Sequence, residues 1–379
     1  MDDEDQDGRD RTDGRSTLTR IEQERDLYLG LLDLNAETDR EAFLARAVSL
    51  IVGAVGARQG YLETAKALLD GGASINQQTA GDGSTPLLMA AINGEAAERF
   101  PGRLMIAEDL RGDAEVVRPV DEGGAGFGAQ WEAGFVHPVR AALIAPDDAE
   151  RDVEAVAAAI RIDPMDAFKR VIYTESHDDV ANGQVRVPES ITPGAADSWW
   201  AKKRTVLGSA LVLTSPGIPM LFMGQELLED RWFDDTIALD WAKASSNDGI
   251  LRLHRDLVAL RRARDGSTWG LRGTNVRILR ADNKAKVLVM HRWRDGGRHD
   301  DTVVVANFAD RTIDDLRIGF PAPGRWNVRL NSDSAVYDPE FGGHEVFDLD
   351  ADGGPMDGCD QSGLVSVGPY SVVVLSRED

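Results

Sequence analysis

Arg170–Gly183, RVIYTESHDDVANG, is the stretch on which the fold turns. Val171-Ile172-Tyr173 is a short apolar run, β-branched and aromatic, of the kind that makes a buried parallel strand. It stops abruptly at Glu175-Ser176-His177-Asp178-Asp179, which brings together an imidazole and three carboxylates. A buried strand that hands such a cluster to solvent at its C-terminal end is how a β/α barrel assembles reactive groups.

The same form recurs on either side. Leu104–Ala107 runs into Glu108-Asp109, and Pro219–Met223 runs into Gly224-Gln225-Glu226. Between and after these strands the spacing predicts helices over Asp147–Ile160, Ser198–Leu213 and Asn247–Arg264. The last has Ile250, Leu253, Leu257 and Leu260 on one face and arginines on the other. Such alternation reads as parallel βα units. From about Val276 the period changes to two. Strands are expected at Lys286–Trp293, Thr302–Phe308, Leu316–Phe320, Trp326–Leu330 and Val365–Leu375, separated by turns rich in Asp, Asn and Gly.

The three strand ends, in this order, resemble the later barrel strands of the α-amylase superfamily, closest to its glycogen (1,4-α-glucan) branching enzyme-like members. The resemblance covers about residues 97–379 and implies an α/β plus all-β chain. That is a partial (β/α)8 barrel (strands five to eight, 97–270) followed by a C-terminal antiparallel β-sandwich (271–379), with N-terminal helices before them. It implies Glu108 as acid/base, Asp178 as transition-state stabiliser, and His177 and Gln225 as substrate-binding residues. The Gly123–Arg140 segment, GGAGFGAQWEAGFVHPVR, is similar to the loop and short strand after the acid/base, with Phe127 and Trp131 as candidate sugar-stacking rings. Either ring serves equally well as core.

Retaining attack on an α-glucosidic bond needs two carboxyl groups roughly 5–5.5 Å apart, one of them a nucleophile. The family's nucleophile is an Asp in a text resembling G-F-R-x-D before the acid/base, and no such text occurs in these 379 residues. A full barrel of this type takes about 250 residues. A half barrel leaves open sheet edges, so self-association through those edges is expected. The expected function is therefore an α-glucan-active protein by resemblance, inactive for want of a nucleophile. The alternatives are a non-catalytic glucan-binding protein, an interaction protein, or a mosaic with no evolved function.

The interaction reading rests on the N-terminal third. Residues 1–15 are acidic and without periodicity, and are expected to be a disordered tail. Residues 16–63 read as two amphipathic helices, and the phrase ending GARQGYLE resembles the opening of a GAF domain. Residues 64–96 resemble about one ankyrin unit, with Gly71-Gly72 ending one helix and Thr85-Pro86 starting the next. A stable ankyrin stack takes about three units or more.

A net charge of −23 argues against nucleic acid or an anionic membrane as partner, and suits a neutral ligand such as α-glucan. The lone cysteine, Cys359, excludes an intrachain disulfide and fits a reducing cytoplasm. No apolar run approaches the ~18–20 residues of a membrane span, and the acidic start is unlike a signal peptide. No cofactor is expected. Neither is a metal, since the six histidines show no ligand spacing.

Overall fold

The computed structural model describes residues 86–181 and 183–378. The expected acidic tail, the GAF-like segment and the ankyrin-like segment up to residue 85 lie outside the described residues. The chain forms two compact units, one containing the described residues 86–107 and 113–128, the other 108–112 and 129–378.

In the first unit, helix α1 (Pro86–Arg99) starts at its proline, where a missing N–H costs nothing. Strand β1 (Ile106–Ala107) and the short helix α2 (Ala114–Val117) follow. The Asp113 side chain caps α2 by accepting from Glu115 N. Asn93 Nδ2 donates to Ala125 O at 2.7 Å, tying α1 to the segment after α2.

The second unit begins its ordered run with β2 (Ala129–Trp131), α3 (Ala133–Ile144) and α4 (Val153–Ile160). Next come β3 (Arg170–Ile172), the short helices α5 (His177–Val180) and α6 (Val187–Ile191), and the long α7 (Trp199–Thr214). Strand β4 (Ile218–Pro219), α8 (Lys243–Ser246) and α9 (Asp248–Arg261) complete the βα part. Strands β2, β3 and β4 pair in parallel, with Trp131 opposite Val171 and Ile172 opposite Pro219. The region around HPVR, read in sequence as loop and short strand, divides at Glu132. The strand is β2, and the rest is α3, which carries Pro138 in its second turn.

The β part holds β5 (Asn275–Asp282), β6 (Val287–Trp293), β7 (Thr302–Asn307), β8 (Ile313–Phe320) and β9 (Gly324–Asn331), then β10 (Leu349–Ala351), β11 (Gln361–Val367) and β12 (Ser371–Arg377). Six of these make an antiparallel sheet in the order β10-β9-β12-β7-β6-β5, and β11 pairs with β8 in a second sheet. The single strand expected over Val365–Leu375 is thus two strands in two sheets. Gly368-Pro369 interrupts it, and Tyr370 takes a positive φ of 42°.

Successive side chains of a strand face opposite ways, and here both faces are covered. Val287, Val289, Val303, Val305, Val373 and Leu375 point to a core shared with Ile318, Phe320 and Trp326. Leu288, Met290, Val304, Ala306, Val372 and Val374 join a core with Phe135 and Leu143 of α3, Leu211 of α7, and Leu253 and Leu257 of α9. One continuous core therefore runs from the βα part into the sheet. A fragment beginning near 276 would bare the second of these faces.

Buried arginines tie the same parts together. The turn Thr214–Gly217, between α7 and β4, presents four successive carbonyls. Arg292 of β6 donates to Thr214 O. Arg261 of α9 donates to Ser215 O at 2.6 Å and Gly217 O at 2.5 Å. Arg170 of β3 donates to Pro216 O at 2.9 Å. Among the described residues none of the three has a carboxylate ion pair. Burial pushes Arg170 and Arg261 down to about 10, and pulls Arg292 well down too.

Candidate active site

Strand β3 is wholly buried, and it drives Tyr173, Thr174, Glu175 and Ser176 into the interior after it. The chain then turns outward because Ser176 caps α5. Its hydroxyl accepts from Asp179 N, and the Asp179 carboxylate accepts from Ser176 N at 3.0 Å and from its hydroxyl at 2.7 Å. This capping box consumes Asp179 and leaves His177 and Asp178 facing out.

The three carboxylates that sit together in the sequence thus have separate fates. Glu175 is fully buried and pairs with Arg186 at 3.2 Å, while Val187 N donates to its other oxygen at 2.5 Å. Burial pushes its carboxyl up, and the Arg186 charge only partly offsets that. Asp179 is a cap. Asp178 is the most exposed of the three.

Glu108, the first residue of the second unit, meets them there. His177 Nε2 lies 3.3 Å from Glu108 Oε1 and 3.3 Å from Asp178 Oδ1. The side chains of His177, Glu108 and Asp178 are 43%, 51% and 56% exposed, so the trio is open rather than enclosed. Beside it the Trp131 ring meets the His177 ring edge-on at 5.8 Å and Tyr173 at 5.3 Å. Burial, then the carboxylates of Asp179, Asp178, Glu108 and Glu132, push the Tyr173 hydroxyl up. The surroundings of the trio are therefore negative.

Two of the residues named from the sequence stand elsewhere. Gln225 is buried, with Nε2 donating to Thr174 Oγ1 at 2.6 Å and Oε1 accepting from Phe222 N at 3.1 Å. Each end of its amide makes one bond, bracing the segment after β4 against the segment after β3, and the side chain stands in the interior rather than beside the trio. Phe127 is half-buried in the other compact unit.

Sequence reasoning missed the brace under the site. Arg186 binds Glu175 and also donates to Met223 O at 2.9 Å, with its guanidinium over the Phe222 ring at 4.8 Å. Arg140 donates to Thr174 O and Val185 O. The loop after β4 closes from the far side, where Phe233 N donates to Val180 O at 2.6 Å. Trp232, next to it, is 50% exposed. A carboxylate directly following a buried strand was the one available signal, since such a group needs a cation.

Residues 278–378 match the family model described as Alpha amylase, C-terminal all-beta domain. The chain is 30% identical over 297 residues to the 1,4-alpha-glucan branching enzyme GlgB of Rhodopseudomonas palustris (strain BisB5), covering 76% of this chain and 39% of that protein. It is 30% identical over 261 residues to the enzyme of the same name from Cutibacterium acnes, covering 66% of this chain and again 39% of the relative. It thus spans well under half the length of these curated relatives. Among solved structures, the native Nostoc punctiforme debranching enzyme aligns with a TM-score of 0.56 at 14% identity, covering 77% of this chain and 56% of that one. A pullulanase from Anoxybacillus, complexed with maltotetraose, aligns with a TM-score of 0.51 at 18% identity, covering 76% and 42%. At these identities the structural matches speak for the fold alone.

Proposed function

We propose that the C-terminal portion of this chain, an α-amylase-superfamily portion of branching-enzyme-like type, holds part of an α-glucan site that binds glucan weakly and turns none over. The observation that supports this is the convergence of Glu108, His177 and Asp178 at open strand ends, although 69 residues separate the first two.

In this reading Glu108 is the proton donor to the glycosidic oxygen. Asp178 faces the positive charge that develops on the departing sugar ring, and His177 bonds sugar hydroxyls. Trp131 presents an aromatic edge beside them, and exposed Trp232 is a further stacking ring. Chemistry stops for lack of a nucleophile. A covalent glycosyl intermediate cannot form, and the loss of one member of a catalytic unit costs several powers of ten in rate. Direct attack by water needs carboxyl groups roughly 6.5–9.5 Å apart. One oxygen of Glu108 lies within 4.8 Å of one of Asp178, short of that span.

Incubation of the full chain with amylose, followed by iodine staining and a reducing-end assay, should match the blank. Affinity electrophoresis in a glucan gel should show slight retardation that Trp131→Ala removes. Turnover above blank that vanishes in Glu108→Gln would overturn the reading.

Assembly through a second copy belongs to the same proposal. Among the described residues β4 pairs only with β3, and Met223 just beyond it is 51% exposed. An unpaired strand edge beside apolar surface invites pairing. Size-exclusion chromatography with light scattering should therefore give more than the 41.2 kDa monomer mass. A monodisperse monomer with a cooperative melt would contradict it. No helix among the described residues is long and apolar enough to cross a membrane.

A further inference from the structure

We infer that Glu108, His177 and Asp178 form a binding site for a borderline divalent cation, with Zn²⁺ preferred. This goes beyond the glucan reading and does not depend on it. The trio is the group of metal-ligating side chains that comes together among the described residues.

Geometry comes first. Zn²⁺ holds nitrogen and oxygen ligands at about 2.0–2.1 Å in a tetrahedron, which sets neighbouring ligand atoms roughly 3.3–3.4 Å apart. His177 Nε2 already stands 3.3 Å from an oxygen of each carboxylate. The third edge, between Glu108 and Asp178, is no longer than 4.8 Å. Both carboxylates are more than half exposed, so a small side-chain rotation closes it without disturbing the core.

Charge is the second observation. Two carboxylates and an imidazole carry two negative charges, and among the described residues no Lys or Arg is ion-paired with any of the three. Asp179 and Glu132 add to the negative field that reaches Tyr173. A dication neutralises what the protein leaves uncompensated.

Ligand type decides which dication. Ca²⁺ takes six to eight oxygens and Mg²⁺ retains most of its water, whereas an imidazole nitrogen with two carboxylates suits Zn²⁺ or Co²⁺. Exposure leaves the remaining coordination position to water. Among the described residues no hydrogen bond orients His177 Nδ1, and such an outer partner is typically worth 10–100-fold in affinity. The site should accordingly be reversible and removed by a chelator.

The experiment uses the full chain, freed of metal by chelation and titrated with ZnCl₂ in a calorimeter. Co²⁺ serves as spectroscopic probe. Wild type should show one site per chain, a Co²⁺ spectrum of a four-coordinate ion, and no competition from excess Ca²⁺. His177→Ala should weaken Zn²⁺ at least tenfold, as should Asp178→Asn. All three side chains are solvent-exposed, so unchanged melting curves are expected and serve as the folding control. An isotherm that His177→Ala leaves unaltered would show adventitious binding to an acidic surface and overturn the assignment, as would no binding at all. The titration is run without glucan, so it succeeds or fails separately from the glucan assays.

Discussion

An Arg186→Met variant should lose about 3–5 kcal/mol of stability at neutral pH, and less as the solution is made mildly acid. Arg186 and Glu175 each have 1% of their side chain exposed, so the substitution strands a carboxylate in the interior. Glu175 would keep only Val187 N as a close donor. Its carboxyl is already raised by burial, and without the guanidinium it rises further. The sign follows from linkage. A carboxyl whose folded pKa exceeds its unfolded one favours folding below the unfolded value, and that contribution disappears as pH rises through the folded value. The gap between variant and wild type should therefore narrow on acidification, as Glu175 takes up its proton. Urea unfolding at two pH values measures this, and a gap that widens in acid would refute it. Adding Glu175→Gln to the variant should recover part of the loss, since an amide is buried at lower cost than an unpaired charge.

Asp333→Ala should cost a similar amount, about 3–5 kcal/mol, with the opposite dependence on pH. Lys203 of α7 bonds Asp333 where their side chains are 1% and 0% exposed. Asp333 also accepts from Gly342 N at 3.3 Å and His344 N at 3.1 Å, which pins the loop after β9. Without the aspartate the ammonium keeps only aromatic faces, with Phe341 at 4.7 Å and Trp199 at 5.9 Å. Burial already pulls Lys203 down, and losing its partner pulls it further. A depressed amine shifts stability toward high pH, so this variant should approach wild type under alkaline conditions. A thermal melt series read by circular dichroism tests it, and an unchanged melt at neutral pH would sink the idea. Typical domains have about 5–15 kcal/mol in hand, so either substitution consumes a large share.

How far the fold was legible depends on which property each residue reports. Val171-Ile172-Tyr173 announces a buried strand because apolarity is local, and the structure puts β3 there. The helix pattern of Ile250, Leu253, Leu257 and Leu260 is local too, and α9 bears it out. The site was half legible. His177 and Asp178 follow a buried strand, and Glu108 follows the short strand β1, whose Ile106 is exposed, so their type and position could be read. Whether Glu175 or Asp178 reaches solvent could not, because one capping serine decides it. The burial of Gln225 was hidden for the same kind of reason. An amide at a strand end reads as a ligand until its two partners are seen, and Thr174 lies 51 residues away. The strands β6, β7 and β12 have both faces buried, and a doubly covered sheet has no polar side to show, so their layering could not be read.

The turn from α7 into β4 has a consequence in time. Its first carbonyl, on Thr214, waits for a guanidinium 78 residues downstream, and Ser215 waits for one 46 residues downstream. A chain made at about 5–20 residues per second leaves the Thr214 carbonyl without its partner for roughly 4–16 s, whereas Arg170 is already present for Pro216. The four carbonyls at the entry to β4 are therefore all bonded only once β6 arrives. During synthesis that carbonyl stays open until the sheet strand carrying Arg292 has left the ribosome.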